Sequence, residues 1–245
     1  MKWMMGLLCM LLAAGFVMAQ AGPDSKAIRV ACIGDTPTDM TNYPKDLGRY
    51  LNGMKADTYD VKNFGAPDTL IGAGTDKPYV KNAKYEQALK FEPNIVVIMF
   101  GSQDTQKGKN FATHDTFVAE YKKLIASFTD LPTHPKVYIC LPPPMMATGQ
   151  WGLNNENLVS TVIPNIKKVA EDLKLPLVDT NTPFVGHPEL FHDNVHCVGE
   201  SNIIFAGAVF HAMTGKEPPE NPKKTTARAV TTSPAAGTAP STQKS

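Results

Sequence analysis

Short apolar runs recur along the chain, separated by stretches rich in charged residues, glycine and proline: IRVACI from Ile28, TYDVKN from Thr58, NIVVIMF from Asn94, KVYICL from Lys136 and LPLVD from Leu175. Most are dominated by Val and Ile, as expected of strands buried on both faces. Between them the apolar spacing changes. Phe117, Tyr121, Leu124, Ile125 and Phe128 fall on one helix face. A second helical pattern runs from Glu156 to Leu173, carrying Leu158, Val162, Ile166, Val169 and Leu173 on one face, with a kink expected at Pro164. The order βαβαβαβα, joined by right-handed crossovers, predicts an α/β fold: a three-layer α/β/α sandwich around a parallel sheet of about five strands.

Both ends of the chain break this pattern. Lys2 precedes an apolar stretch from Trp3 to Met18 that closes on Ala19, Gln20 and Ala21, the form of a secretory signal peptide over residues 1–21, with cleavage expected after Ala19 or Ala21. The stretch falls short of the ~20 apolar residues that a spanning helix needs, so a secreted or periplasmic protein without stable membrane insertion is expected. Cys9 leaves with the peptide. From Lys216 to Ser245 the chain is rich in Pro, Thr, Ala and Ser with almost no large apolar residue, and is expected to be a disordered tail. Residues 27–215 remain as one domain, within the size that a chain of 245 residues supports.

A formal net charge of +1, with Lys and Arg scattered, leaves no electrostatic footprint for nucleic acid. Cys32 and Cys140 lie in apolar runs and read as small buried hydrophobes. No Cys-x-x-Cys pair suggests a structural zinc site.

In open α/β sheets, ligands bind beyond the carboxyl ends of the strands. The first strand runs into GDTPTD, the second into NFGAPD, the third into GSQDTQ and the fourth into LPPPMM. Each alone is also what a helix-capping turn requires. Near the end of the domain, FHDNVHCVGESN sets Asp193 three residues before His196. His192, Asp193 and His196 have the chemistry of zinc or iron ligands, but no clear further ligand accompanies them.

Together, GDT at Gly34–Thr36, NFG at Asn63–Gly65, GSQD at Gly101–Asp104 and DNVH at Asp193–His196 resemble the SGNH or GDSL hydrolase superfamily. DKPY from Asp76, YICLPPP from Tyr138 and GHPELF from Gly186 resemble its bacterial secreted esterase-like branch. The resemblance implies a flavodoxin-like strand order, an ester substrate that is a small molecule or an acylated carbohydrate, and no cofactor. It puts a serine nucleophile at position 36, an orienting aspartate at Asp193 and the base at His196. Its oxyanion donors are the nucleophile's own N–H, a glycine N–H at position 68 and an asparagine side chain at position 103.

Three of these positions depart from the pattern. Thr36 keeps a hydroxyl but adds a stiffening β-methyl. Asp68 places a carboxylate beside a forming oxyanion, and Gln103 carries the amide on a longer arm. Asp35 and Asp104 are expected to line the cleft and organise its turns by accepting backbone N–H bonds. The segments LPPPMM and QWGLNN are expected to form one wall, with Trp151 either a platform for a sugar ring or an ordinary half-buried residue. Cys197 follows the histidine, where a thiolate would be activated, and is an alternative nucleophile. Two readings stand at this point: an ester hydrolase that attacks through Thr36, and a degenerate relative that only binds a glycan-like ligand.

Overall fold

A computed structural model describes residues 27–108 and 114–219. The expected signal peptide, Cys9 and most of the expected C-terminal tail lie outside the described residues. Strands β1 (Ile28–Gly34), β2 (Tyr59–Gly65), β3 (Ile95–Met99), β4 (Lys136–Cys140) and β5 (Leu177–Val178) form one parallel sheet in the order β2-β1-β3-β4-β5. This is the flavodoxin-like order, which reverses between β1 and β3 and opens a crevice beyond their carboxyl ends.

Among the described residues, seven α-helical segments accompany the sheet: α1 (Thr36–Met40), α2 (Tyr43–Met54), α3 (Ala83–Lys90), α4 (His114–Thr129), α5 (Asn155–Asn157), α6 (Ile163–Leu173) and α7 (Ser201–Thr214). Side chains alternate across the strands, so each face of the sheet owns a separate core. Ala31, Ile33, Val96, Ile98, Val137 and Ile139 pack with Tyr121, Leu124 and Phe128 of α4 and Ile166 and Val169 of α6. Val30, Cys32, Val97, Met99, Tyr138 and Cys140 pack with Tyr43, Leu47 and Leu51 of α2 and Phe205 and Val209 of α7. Removing one of the fully buried aromatics, such as Phe128 or Phe205, would cost about 3–5 kcal/mol. Cys32 and Cys140 are buried and unpaired, as their apolar runs predict.

Within the second helical pattern the irregularity near Pro164 takes the form of a π turn. Leu158–Val162 forms a π-helical turn between α5 and α6, in which the Ile163 N–H donates to the Leu158 carbonyl. Pro164 has no N–H to continue the ladder, and the widened turn accommodates that loss without breaking the helix.

Helix α1 lies directly against the strand ends because two glycines let it. A β-carbon on Gly34 would stand 2.0 Å from Thr38 Oγ1, and one on Gly65 would stand 2.4 Å from the Asp39 amide nitrogen. Thr36, the first residue of α1, is thereby held at the mouth of the crevice.

Candidate active site

The site is assembled from loops that two buried carboxylates hold together. Asp35 does not cap the helix it precedes. Its Oδ2 instead accepts backbone N–H bonds from Gly101 (3.2 Å), Ser102 (2.9 Å) and Gln103 (3.4 Å), so the loop after β3 wraps around a residue at the end of β1. Burial pushes the Asp35 carboxyl up to about 7, against the pull of those three donors. Asp104 Oδ1 accepts the Ile71 N–H at 3.0 Å and so ties the β3 loop to the loop after β2. Burial raises its carboxyl too, and the charge of Asp35 adds to the rise. Both aspartates therefore accept backbone N–H bonds that organise the turns, but both are buried and neither borders the cleft that they were expected to line.

This scaffold sets two donors on one oxygen. Thr36 Oγ1 accepts the backbone N–H of Asp68 at 3.0 Å and the side-chain Nε2 of Gln103 at 3.2 Å. Thr36 is only 6% exposed. Asp68 adopts φ +60°, a left-handed conformation that aspartate tolerates better than most residues with a β-carbon. Its carboxylate does not turn toward Thr36: Oδ2 pairs with Lys77 Nζ at 3.1 Å, and the Asp68 side chain is 57% exposed. The carboxylate expected at this position is present, and it is paired with an ammonium group. The Gln103 amide is likewise not loose. Its Oε1 accepts the Gln106 Nε2 at 2.8 Å.

The opposite wall is the loop between β5 and α7. Asp193 Oδ1 accepts the N–H groups of Val195 (3.2 Å) and His196 (2.8 Å), and Oδ2 bonds His196 Nδ1 at 2.7 Å. Partial burial opposes ionisation of Asp193, but the bonds from the His196 ring and the two backbone groups outweigh it and hold the carboxyl below its usual range. A carboxylate can only accept, so the proton of neutral His196 sits on Nδ1 and Nε2 carries the lone pair. These bonds also occupy the oxygens of Asp193 and one ring nitrogen of His196, which does not favour the metal-ligand alternative.

Thr36, Gln103 and His196 line a narrow cavity that Pro143, Pro144 and Met145 also line. Beside it, Asp68, Lys77, Gln103, Gln106, Trp151 and His196 border a wider cleft of about 500 Å³. The four separated sequence blocks thus converge at the carboxyl edge of the sheet, and the LPPPMM and QWGLNN segments supply a wall. Met146 N–H donates to the Asn194 carbonyl at 2.7 Å, which joins that wall to the histidine loop. Trp151 is 56% exposed, holds φ +50°, and sets its indole 5.0 Å from the His196 ring at 54°.

Cys197 borders the small cavity but is buried, and burial, followed by the nearby Asp35 charge, pushes its thiol up to about 12. Burial and a raised thiol both count against it as an alternative nucleophile. Two residues of the site were not singled out from sequence. Gln106 could have been noticed from its spacing of three after Gln103, whereas Lys77, although inside the DKPY block, gives no local sign that it faces Asp68.

Comparison with known proteins agrees with this geometry. The model of the GDSL-like lipase/acylhydrolase family matches residues 20–199. An acetylxylan esterase of Xylanibacter ruminicola is 29% identical over 201 residues, which are 71% of this chain but 40% of that protein, so the chain spans less than half of that relative's length. A solved lipase/acylhydrolase from Enterococcus faecalis superposes with a TM-score of 0.62 at 18% identity, covering 79% of this chain and 98% of its own. An acetylxylan esterase from Geobacillus stearothermophilus does so with a TM-score of 0.62 at 17% identity, covering 79% and 97%. At those identities the two solved structures speak for the fold. With the α/β sandwich and the four blocks in place, the family match is decisive: the chain belongs to the GDSL-like lipase/acylhydrolase family, within the SGNH hydrolases.

Proposed function

We propose that the protein is an exported ester hydrolase that removes small acyl groups from carbohydrate, with Thr36 as nucleophile, His196 as base and Asp193 as orienter. The observation that carries this reading is the convergence of Asp68 N–H and Gln103 Nε2 on Thr36 Oγ1, in the cavity that His196 also lines. Every departure from the family pattern keeps the required group: a hydroxyl, an N–H and an amide.

In the proposed reaction the Thr36 hydroxyl gives its proton to His196 Nε2 as Oγ1 bonds to the ester carbonyl carbon. The carbonyl oxygen becomes an oxyanion held by Asp68 N–H, Gln103 Nε2 and the N–H of Thr36, which as a first-turn group has no intrahelical acceptor. His196 returns the proton to the leaving alkoxide, forming the free alcohol and an acyl-threonine. Water then attacks that ester with His196 again as base, releasing the carboxylic acid and restoring Thr36. Asp193 stabilises the imidazolium formed in each half-reaction.

Cavity size supports the substrate class. The narrow cavity beside Thr36 leaves room only for a short acyl group, and the polar cleft of about 500 Å³ beside it suits a sugar. An exposed indole at the cleft border offers a stacking face for a pyranose ring. The relative from Xylanibacter ruminicola bears the name of an acetylxylan esterase, which favours acetyl esters of xylan-type sugars. Export rests on the pattern from Lys2 to Ala21 and is checked by sequencing the amino terminus of the protein from the medium or periplasm.

The reading is tested by measuring acetate released from acetylated xylo-oligosaccharide by the purified mature protein and by His196→Ala. Release that disappears in the variant is the expected result. Tight binding of the oligosaccharide without release would favour the degenerate, ligand-binding alternative.

A further inference from the structure

Gln103 is a symmetric-looking amide with one useful face. Only Nε2 can donate to a forming oxyanion, and Oε1 in the same place would repel it. Resting against Thr36 does not decide between the two, because a hydroxyl both accepts and donates. Something else must set the amide, and the 3₁₀ turn Gln103–Thr105 supplies it. With three residues per turn, the side chains at i and i+3 stand one above the other, and Gln106 is i+3. Its Nε2 donates to Gln103 Oε1 at 2.8 Å, leaving Gln103 Nε2 directed at Thr36 Oγ1 at 3.2 Å. The pair also explains the longer arm at position 103, since the amide is anchored at its far end.

We propose that Gln106 is a positioning residue that selects the donor face of Gln103, a role resting on the hydrolase reading above. Gln106 itself touches no reacting atom. Its amide fixes the orientation of another amide, and the catalytic contribution passes entirely through Gln103.

The test uses Gln106→Glu, which can only accept and so draws Gln103 Nε2 away from Thr36, and Gln106→Lys, which can only donate and so preserves the native orientation. On an activated acetyl ester, Gln106→Glu should lower kcat by about 100-fold with KM little changed, the loss expected of one oxyanion donor. Gln106→Lys should stay within about fivefold of wild type on the same scale. In a Gln103→Ala background, Gln106→Glu should cost nothing more, because residues acting as one unit are non-additive. Equal losses in Gln106→Glu and Gln106→Lys, or a full further loss in the Gln103→Ala background, would overturn the proposal.

A second readout does not depend on activity. In wild-type protein, isotope-edited NMR should show a cross-peak between the Gln103 side-chain NH₂ and the Thr36 methyl, absent in Gln106→Glu and present in Gln106→Lys. If no variant or wild type hydrolyses the ester, the hydrolase reading fails. The cross-peak then decides the orienting role alone, and its persistence in Gln106→Glu overturns it.

Discussion

The charge at Asp68 gives the sharpest quantitative test of the site, because Lys77 is paired with it. Consider Lys77→Met, which keeps the length of the side chain and removes its charge. A carboxylate one side chain away from its own N–H lies roughly 6 Å from a charge that this N–H holds, and unit charges at that distance interact by about 0.7 kcal/mol in water and about 1.4 at an effective dielectric near 40. An unmasked Asp68 would therefore slow formation of the oxyanion by about three- to tenfold. Asp68→Gly keeps the N–H and suits the left-handed backbone at φ +60°, so its rate should lie within about threefold of wild type. In the Asp68→Gly background Lys77→Met should lose most of its effect. Initial rates on 4-nitrophenyl acetate at low ionic strength measure all four proteins, and the Lys77→Met deficit should shrink in added salt, which screens exposed charges. The reasoning is refuted if Asp68→Gly accelerates the wild type tenfold or more, because the carboxylate would then be opposing catalysis despite its partner.

Other expectations follow from the same geometry. Asp193→Asn loses the acceptor that orients His196 and should lower kcat by up to about 10⁴-fold without lowering the melting temperature by more than a few degrees, whereas unchanged turnover would remove Asp193 from the mechanism. Trp151→Ala should raise KM for acetylated xylo-oligosaccharide while leaving 4-nitrophenyl acetate nearly untouched; equal effects on both would mean that the indole supports His196 and not the sugar. Asp35 bears on stability. Its folded carboxyl is raised to about 7, so the folded state holds a proton that the unfolded state releases near 4, and this group's contribution is present at low pH and lost as pH rises through about 7. Asp104, raised in the same direction by burial, adds to that slope. Denaturant titrations from pH 5 to 8 should show a shallower decline in Asp35→Asn than in wild type.

The fold was legible because parallel strands buried on both faces write themselves as runs of Val and Ile, and because Phe117, Tyr121, Leu124, Ile125 and Phe128 mark the core face of one helix. Pro164 announced an irregularity, but whether a helix meets it with a kink or a π turn depends on packing by residues distant in sequence. The site was legible as four blocks and obscure in its details. Nothing local to Asp68 tells which way its carboxylate turns, since the partner Lys77 arrives by a loop that returns to the cleft. The pull of Gln106 on Gln103 depends on a 3₁₀ turn, which short polar segments do not advertise. Residue types thus revealed which groups could react. Their orientation belongs to tertiary structure.

Whether Thr36 is a working nucleophile can be read directly by intact-mass and peptide mass spectrometry after exposure to a fluorophosphonate, whose phosphorus takes the place of the acyl carbon and phosphonylates an activated hydroxyl with loss of fluoride. The expected result is a single adduct on Thr36, formed by wild type, absent in Thr36→Ala and slowed sharply in His196→Ala, accompanied by loss of acetyl-ester hydrolysis. Hydrolysis that persists in Thr36→Ala, or a wild type that neither accepts the adduct nor turns over the ester, would contradict a threonine-based esterase.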